Sequence, residues 1–382
     1  MINIVDSSTC CGCTACASIC NHEAISMKPD ALGFLYPEVD ISKCVNCGLC
    51  DKVCAFNDNY DKSLNFQEPI AYGARHKDMD EVMKSRSGAV FASLSDYVLD
   101  NGGIVYGVGY VGHFRVAHKR AVSKRERDEF RGSKYVQSDL SGIFRQVKND
   151  LKAGKKVLFV GTGCQTSGLK SYLKGCSNLR ENLILVDVVC HGVPSPFYWR
   201  DYVGYLEKNF GELVGVNFRD KKKYGWKAHH ESFVFANGHV EYPRKRFYDS
   251  ISFRRSCFKC HFCNTKRPSD VTIADFWGWE KQNTSANIDN LGLSLVLINT
   301  KVGETIWNQI KENFNFFKAE PYAYLQPNLR QPTKQHVRRM QFEKDYIKRG
   351  FEYVYNHIYD ERPLWRQILS KVYVSFSKLV FR

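Results

Sequence analysis

Two runs of cysteines carry the most explicit chemistry in the sequence. Cys10, Cys13, Cys16 and Cys20 stand in a C-x2-C-x2-C-x3-C pattern, and Cys44, Cys47, Cys50 and Cys54 repeat it. Three thiolates spaced by two residues can wrap three corners of an iron-sulfur cubane, while the fourth opens a helix that carries its sulfur to the neighbouring cubane. The pattern predicts two 4Fe-4S clusters with crossed ligation: Cys10, Cys13, Cys16 and Cys54 on one, and Cys44, Cys47, Cys50 and Cys20 on the other. Zinc also accepts four thiolates, but this spacing, given twice, is the iron-sulfur one. Cys11 falls outside the pattern and is expected to be a free thiol beside the first cluster.

A third group, Cys257, Cys260 and Cys263, lies far along the chain. Three ligands need a fourth, and Cys164 and Cys190 are the candidates, so a third 4Fe-4S cluster in the main domain is expected, with a structural zinc site as the competing reading. Both candidates sit just past short apolar runs rich in β-branched residues, Lys156 to Val160 and Leu183 to Val189. Such runs predict buried parallel strands. Open α/β sheets bind ligands beyond the carboxyl ends of their strands, which puts the site at Gly161 to Gln165 and Cys190 to Ser195.

The elements that must hold these residues follow from composition and pattern. A chain of 382 residues, 43% hydrophobic and 25% charged, is too long for a cluster module alone and has the make-up of a globular protein. Nine of the fifteen cysteines lie between positions 10 and 54, behind no secretory segment. That favours metal binding in a reducing compartment over a disulfide framework, and a soluble, cytoplasmic chain. The polar stretch 57–67 predicts a linker after a module of residues 1–60. A strand at Ala71 to Arg75, a helix at Gly88 to Leu99 and strands at Gly103 to Tyr110 and Arg115 to Ala121 then open a mixed α/β domain. Its two parts are assigned to residues 68–150 and 151–330, followed by a basic helical tail at 331–382. Leu364 to Arg382 has amphipathic spacing, expected to pack on its own domain, with an anionic membrane surface as the alternative. Net charge of +15 suits an acidic partner. The basic residues are scattered and form no nucleic-acid module, so nucleic-acid binding is not expected.

The N-terminal run resembles the bacterial two-cluster ferredoxin, except that Asn21 and Ala55 stand where a proline usually follows each fourth cysteine. Most of the chain resembles the coenzyme F420 hydrogenase/dehydrogenase beta-subunit family in the form fused to a ferredoxin domain. The resemblance rests on Ser85 to Ala89, Gly161 to Gln165, Cys190 to Ser195, Phe218 to Lys221 with Gly225-Trp226, and Ser269 to Gly278. It implies a ferredoxin module followed by a mixed α/β flavin-binding domain, an α+β and α/β fold holding FAD beside a 4Fe-4S cluster. It also implies Cys164, Cys190, Cys257 and Cys260 as ligands, whereas spacing alone selects Cys263 over Cys164.

Carried over by motif, Ser87 and Gly88 would offer free backbone N–H groups to the flavin or a phosphate. Gly161, Thr162 and Gln165 would line the flavin, with Gly163 in place of a family proline making that loop more flexible. Arg219 and Lys221 would hold an anionic tail or substrate, with a solvated loop as the alternative. His191 is a candidate proton donor or a structural histidine. Trp277 and Trp279 are candidates for stacking on a ring system or for core packing. The expected function is that of an oxidoreductase linking single-electron clusters, through FAD, to a small-molecule hydride acceptor or donor, with a ferredoxin or redox protein as partner. The alternative is a non-catalytic electron-transfer subunit of a larger complex.

Overall fold

The computed structural model describes residues 1–56, 60–243, 247, 249–357 and 359. The basic segment from Leu364 to Arg382 lies outside the described residues. Thirteen strands run in chain order among them: β1 (Ile25–Pro29), β2 (Leu35–Val39), β3 (Asn65–His76), β4 (Ile104–Val111), β5 (Arg115–Ala121), β6 (Val157–Thr162), β7 (Leu183–Val188), β8 (Leu213–Asn217), β9 (Ser232–Phe235), β10 (Val240–Glu241), β11 (Val271–Asp275), β12 (Ser294–Thr300) and β13 (Phe314–Lys318).

Eight of these form one sheet in the order β13-β3-β12-β11-β7-β6-β4-β5. Its centre, β4, β6, β7 and β11, is parallel, and its flanks are antiparallel. The sequence explains why the centre is buried on both faces. Along β6 and β7, Val157, Phe159, Leu183 and Leu185 pack with helices Ile143–Lys152 and Gly163–Tyr172, while the intervening Leu158, Ile184 and Val186 pack with helices Val90–Asp100 and Lys301–Ile310. Strand alternation thus feeds two apolar layers, giving the mixed α/β architecture.

Because β6, β7 and β11 are parallel neighbours, the turns after them emerge on one edge of the sheet. That topology brings Cys164, Cys190 and Asp275 to the same rim.

The N-terminal module is seated on the main domain. Leu32 and Phe34, on the turn between β1 and β2, share an apolar cluster with Trp199, Tyr202 and Phe233. Ser195 Oγ donates to Leu32 O at 2.6 Å and Phe197 N to the same carbonyl at 3.1 Å. Within the stretch expected to be a linker, Tyr60 is buried, packs on Phe262 at 4.8 Å between ring centroids, and donates to Asn264 Oδ1 at 3.2 Å. One aromatic ring among polar residues is enough to tie the segment down, and β3 already starts at Asn65. The tail is helical over Arg339–Asn356, kinked at Gly350. Among the described residues no helix is long and apolar enough to cross a membrane.

Candidate metal centres

The two N-terminal motifs adopt the same backbone path. Gly12 and Thr14 in the first, and Asn46 and Gly48 in the second, all have positive φ, at 71°, 67°, 52° and 73°. Left-handed backbone is costly for Thr and Asn. Its recurrence at matching positions shows that the two motifs share one turn conformation around their first three cysteines. Each motif then enters a short helix, Ala15–Ile19 or Leu49–Lys52.

The crossed assignment agrees with which thiols become neighbours. Burial raises the Cys16 thiol, and the adjoining Cys13, Cys10 and Cys54 raise it further. Cys54 is raised by burial, with Cys13 and Cys10 again contributing. Cys20, Cys44, Cys47 and Cys50 together line a separate pocket of about 380 Å3, open to solvent at the exposed Cys47.

A larger cavity, about 570 Å3, opens at the sheet rim. Its lining contains Cys164, Cys190, Cys257, Cys260 and Cys263 together, so the structure gathers both candidates for the fourth ligand. Burial drives the Cys190 thiol well up, and burial takes Cys257 to about 12. The neighbouring thiols Cys260 and Cys263 shift each other, the first up and the second down. The neighbouring Cys11 thiol brings Cys164 down to about 7, with Thr162 Oγ1, 3.2 Å from its sulfur, helping against burial. Among the described residues no three Cys, His or carboxylate groups close onto a single-ion site. The thiols instead stand around spaces, a donor set of soft sulfurs suited to cubanes.

Cys11 is more than a neighbour of the first cluster. It is buried in an apolar cluster against which Cys13 and Cys54 of the first motif's set and Cys164 and Cys260 of the rim pack, and so lies between the two thiol sets. Behind it, Cys13 packs on the Gly163–Tyr172 helix, where a Cβ added at Gly168 would come within 2.8 Å of both Cβ and Sγ of Cys13.

The residues expected to hold a flavin are dispersed, and many of their polar groups already have partners. Thr162 caps the helix in a capping box with Gln165, whose Oε1 accepts from Thr162 N at 2.9 Å and whose Nε2 donates to Ser138 Oγ at 2.9 Å. Gly163, the first residue of that helix, is packed against Phe262 and Arg267, so the expected flexible loop is a fixed helix start. Gly161 sits one residue before the cavity lining.

Gly88 does not present a free N–H: it donates to Ser294 Oγ at 2.9 Å, and Ser87 Oγ donates to Leu293 O at 2.8 Å. Glycine is required at 88 because a Cβ there would meet Ala74 O at 2.1 Å. The pairing partners come from β3 and β12, which a local reading of the turn cannot see. Nor is the Arg219 to Lys223 segment simply a solvated loop. Lys221 is buried, its Nζ donating to Leu291 O at 2.8 Å and to Val82 O, and buried Arg219 pairs with half-buried Asp275 and with Trp226 O at 2.9 Å.

His191 lines the cavity between Tyr135 and Phe253, edge-on to both rings at 5.5 and 5.3 Å. Burial, with the Arg219 charge nearby, holds it down at about 4, so it is neutral at neutral pH. Trp279 is core, whereas Trp277 is half-buried and stacked on Trp226 at 4.4 Å.

The comparisons with known proteins agree with this division. Residues 9–57 match the 4Fe-4S dicluster domain, and residues 154–321 match the C terminus of the coenzyme F420 hydrogenase/dehydrogenase beta subunit. The chain thus carries a match to a 4Fe-4S dicluster domain ahead of a match to the C terminus of the beta subunit. No curated protein matches it. Among solved structures, a chain from the xenon-derivatised F420-reducing [NiFe] hydrogenase complex of Methanosarcina barkeri is similar, with 17% identity and a TM-score of 0.47 over 76% of this chain and 92% of that one.

Proposed function

We propose that this protein is an iron-sulfur oxidoreductase subunit with three 4Fe-4S centres: one held near the surface by Cys20, Cys44, Cys47 and Cys50, one by Cys10, Cys13, Cys16 and Cys54, and one at the sheet rim by Cys190, Cys257, Cys260 and Cys164. The observation that carries the reading is the place of Cys11, which lines the rim cavity and shares a packed cluster with Cys13, Cys54, Cys164 and Cys260, next to both the dicluster module and the rim. In this reading FAD would lie at the rim, where a bound flavin would supply the exchange between single electrons and a hydride that clusters alone lack. A small organic hydride acceptor or donor, coenzyme F420 or another, would then meet the protein at that edge, and a redox protein would meet the exposed Cys47 side.

The chain's own residues do three things in this reading. The paired positive-φ turns pre-form the sulfur positions. The seating of Leu32 and Phe34 on Trp199 fixes the module against the rim and keeps water from the inner thiols. Neutral His191 lines the cavity as a candidate proton donor or acceptor.

One observation favours a simpler role, an electron carrier within a larger complex. The polar groups of Gly88, Arg219 and Lys221 bond within the protein, and together with Ser87 they form no shared cradle for FAD. Iron, acid-labile sulfide and released flavin, measured on one anaerobic sample, decide between the readings. About twelve irons with one FAD supports the flavin-linked oxidoreductase, given four irons per cubane. About twelve irons without flavin supports the carrier, and about eight would remove the third centre.

A further inference from the structure

Four large, fully buried side chains are arginines: Arg127, Arg254, Arg267 and Arg339. Three of them face carboxylates, Arg127 with Asp96 at 2.7 Å, Arg267 with Asp187 at 3.0 Å and Arg339 with Glu343 at 2.7 Å. Arg254, only 1% exposed, has no carboxylate oxygen within 4.0 Å among the described residues. A buried charge without a counter-charge is strongly unfavourable.

What its guanidinium touches is the first cysteine motif. Nε donates to Cys10 O at 2.8 Å, Nη1 to Gln137 Oε1 at 3.0 Å, and Nη2 to Leu35 O at 2.9 Å and, at 3.7 Å, to Cys10 Sγ. Gln137 in turn donates to Cys11 O at 2.9 Å, and the Tyr36 ring lies 4.1 Å from the guanidinium. On its other side the Arg254 carbonyl accepts from Cys257 N at 3.0 Å. The missing counter-charge is therefore an anion at Cys10, which a cubane held by four thiolates supplies in either redox state.

We propose that Arg254 raises the reduction potential of the cluster held by Cys10, Cys13, Cys16 and Cys54 above that of the cluster held by Cys20, Cys44, Cys47 and Cys50. The inference rests on the cluster reading above. Reduction adds one electron, hence one negative charge, and a fixed cation in a low-dielectric interior favours that more negative form. Each set accepts a backbone N–H on sulfur, Gly12 to Cys10 at 3.4 Å and Ile2 to Cys50 at 3.2 Å. The ammonium of Met1 near the outer set is exposed and paired with Asp51, where water and salt screen it. Exposure of Cys47 acts in the opposite direction, because water also stabilises the reduced form, and the buried arginine outweighs it.

The test is a dithionite titration of the full chain followed by EPR, after iron has been counted, with Cys47→Ala marking which signal belongs to the outer cluster. Dithionite is the electron donor and is oxidised. The inner signal is expected at the higher potential. Arg254→Gln lowers it by about tenfold in the one-electron equilibrium, 59 mV, with iron content and the outer signal unchanged, while Arg254→Lys lowers it less. Reversed order in the unmutated protein overturns the proposal, as does a Gln variant that keeps its iron with both midpoints unmoved. If both Arg254 variants lose iron, the order in the unmutated protein decides. Unmutated protein lacking the eight or so N-terminal irons would instead overturn the cluster reading, and the proposal with it.

Discussion

A methyl group added at Gly168 tests whether the dicluster module and the main domain share one packed boundary. Gly168 lies in the Gly163–Tyr172 helix, and the new Cβ would stand 2.8 Å from Cys13 Cβ, 2.8 Å from Cys13 Sγ and 3.4 Å from Phe144 Cε2. Rotating the thiol relieves only one of the two close approaches, because the Cys13 Cβ is fixed to backbone, so the module itself must shift. Overpacking of this kind costs about 1–3 kcal/mol, while alanine in a helix interior returns about 0.5–1 kcal/mol. The net loss for Gly168→Ala is therefore about 0–2.5 kcal/mol, small for folding but concentrated on one ligand. The expected result is loss of the Cys10-set EPR signal and about four irons, with the Cys44-set signal intact. Gly204, in the Pro196–Phe210 helix, has nothing within 4 Å of its added Cβ, so Gly204→Ala is the control and should stabilise by about 0.5–1 kcal/mol with full iron. Full iron and an unchanged spectrum in Gly168→Ala would refute the shared boundary.

Cys164→Ala is expected to lose about four irons and Cys263→Ala to keep them; the opposite pattern reassigns the ligand, and no loss in either removes the third cluster. Arg267→Met leaves Asp187 buried without its partner at 3.0 Å and should cost about 3–5 kcal/mol, read as a large drop in melting temperature; a change under about 1 kcal/mol would mean the pair is solvated. His118, buried with Ser138 Oγ 3.0 Å from its Nδ1, is held down at about 4 by burial. The unfolded chain then binds the extra proton between pH 6.5 and 4, so this group's contribution is present above that window and is lost as pH falls through it. The stability difference between the unmutated protein and His118→Gln should shrink by about 2 kcal/mol from pH 7 to pH 5, measured by anaerobic urea unfolding; a pH-independent difference would contradict the buried neutral histidine.

Strands β6 and β7 end within two residues of where their apolar runs end, and the cysteines past them are gathered at one rim, because both features are written in local pattern. The ligand spacing of the dicluster motifs is equally local. What local pattern could not supply is pairing at long range. Arg254 and Cys10 are 244 positions apart, Gly88 and Ser294 are 206 apart, and Tyr60 meets Lys266 across 206. A sequence read without partners therefore assigns Tyr60 to a linker, the Gly88 N–H to a ligand and Lys221 to an anionic tail or a solvated loop, since each residue type suits the role that its immediate neighbours suggest.

Cys11 escapes a sequence reading for the same reason. As an unpatterned thiol it has no spacing signal, yet its place follows from two facts that the chain does encode separately: the wrap of the first motif and the helix that begins at Gly163. Once Leu32 and Phe34 are buried against Trp199, the wrap has one seat, and that seat sets Cys11 between Cys13 and Cys164. The contact between the two thiol sets is then a consequence of apolar docking rather than of any cysteine motif. It follows that substitutions in that apolar seat, far from any sulfur in sequence, should disturb the inner thiols before they disturb the outer pocket of Cys20, Cys44, Cys47 and Cys50.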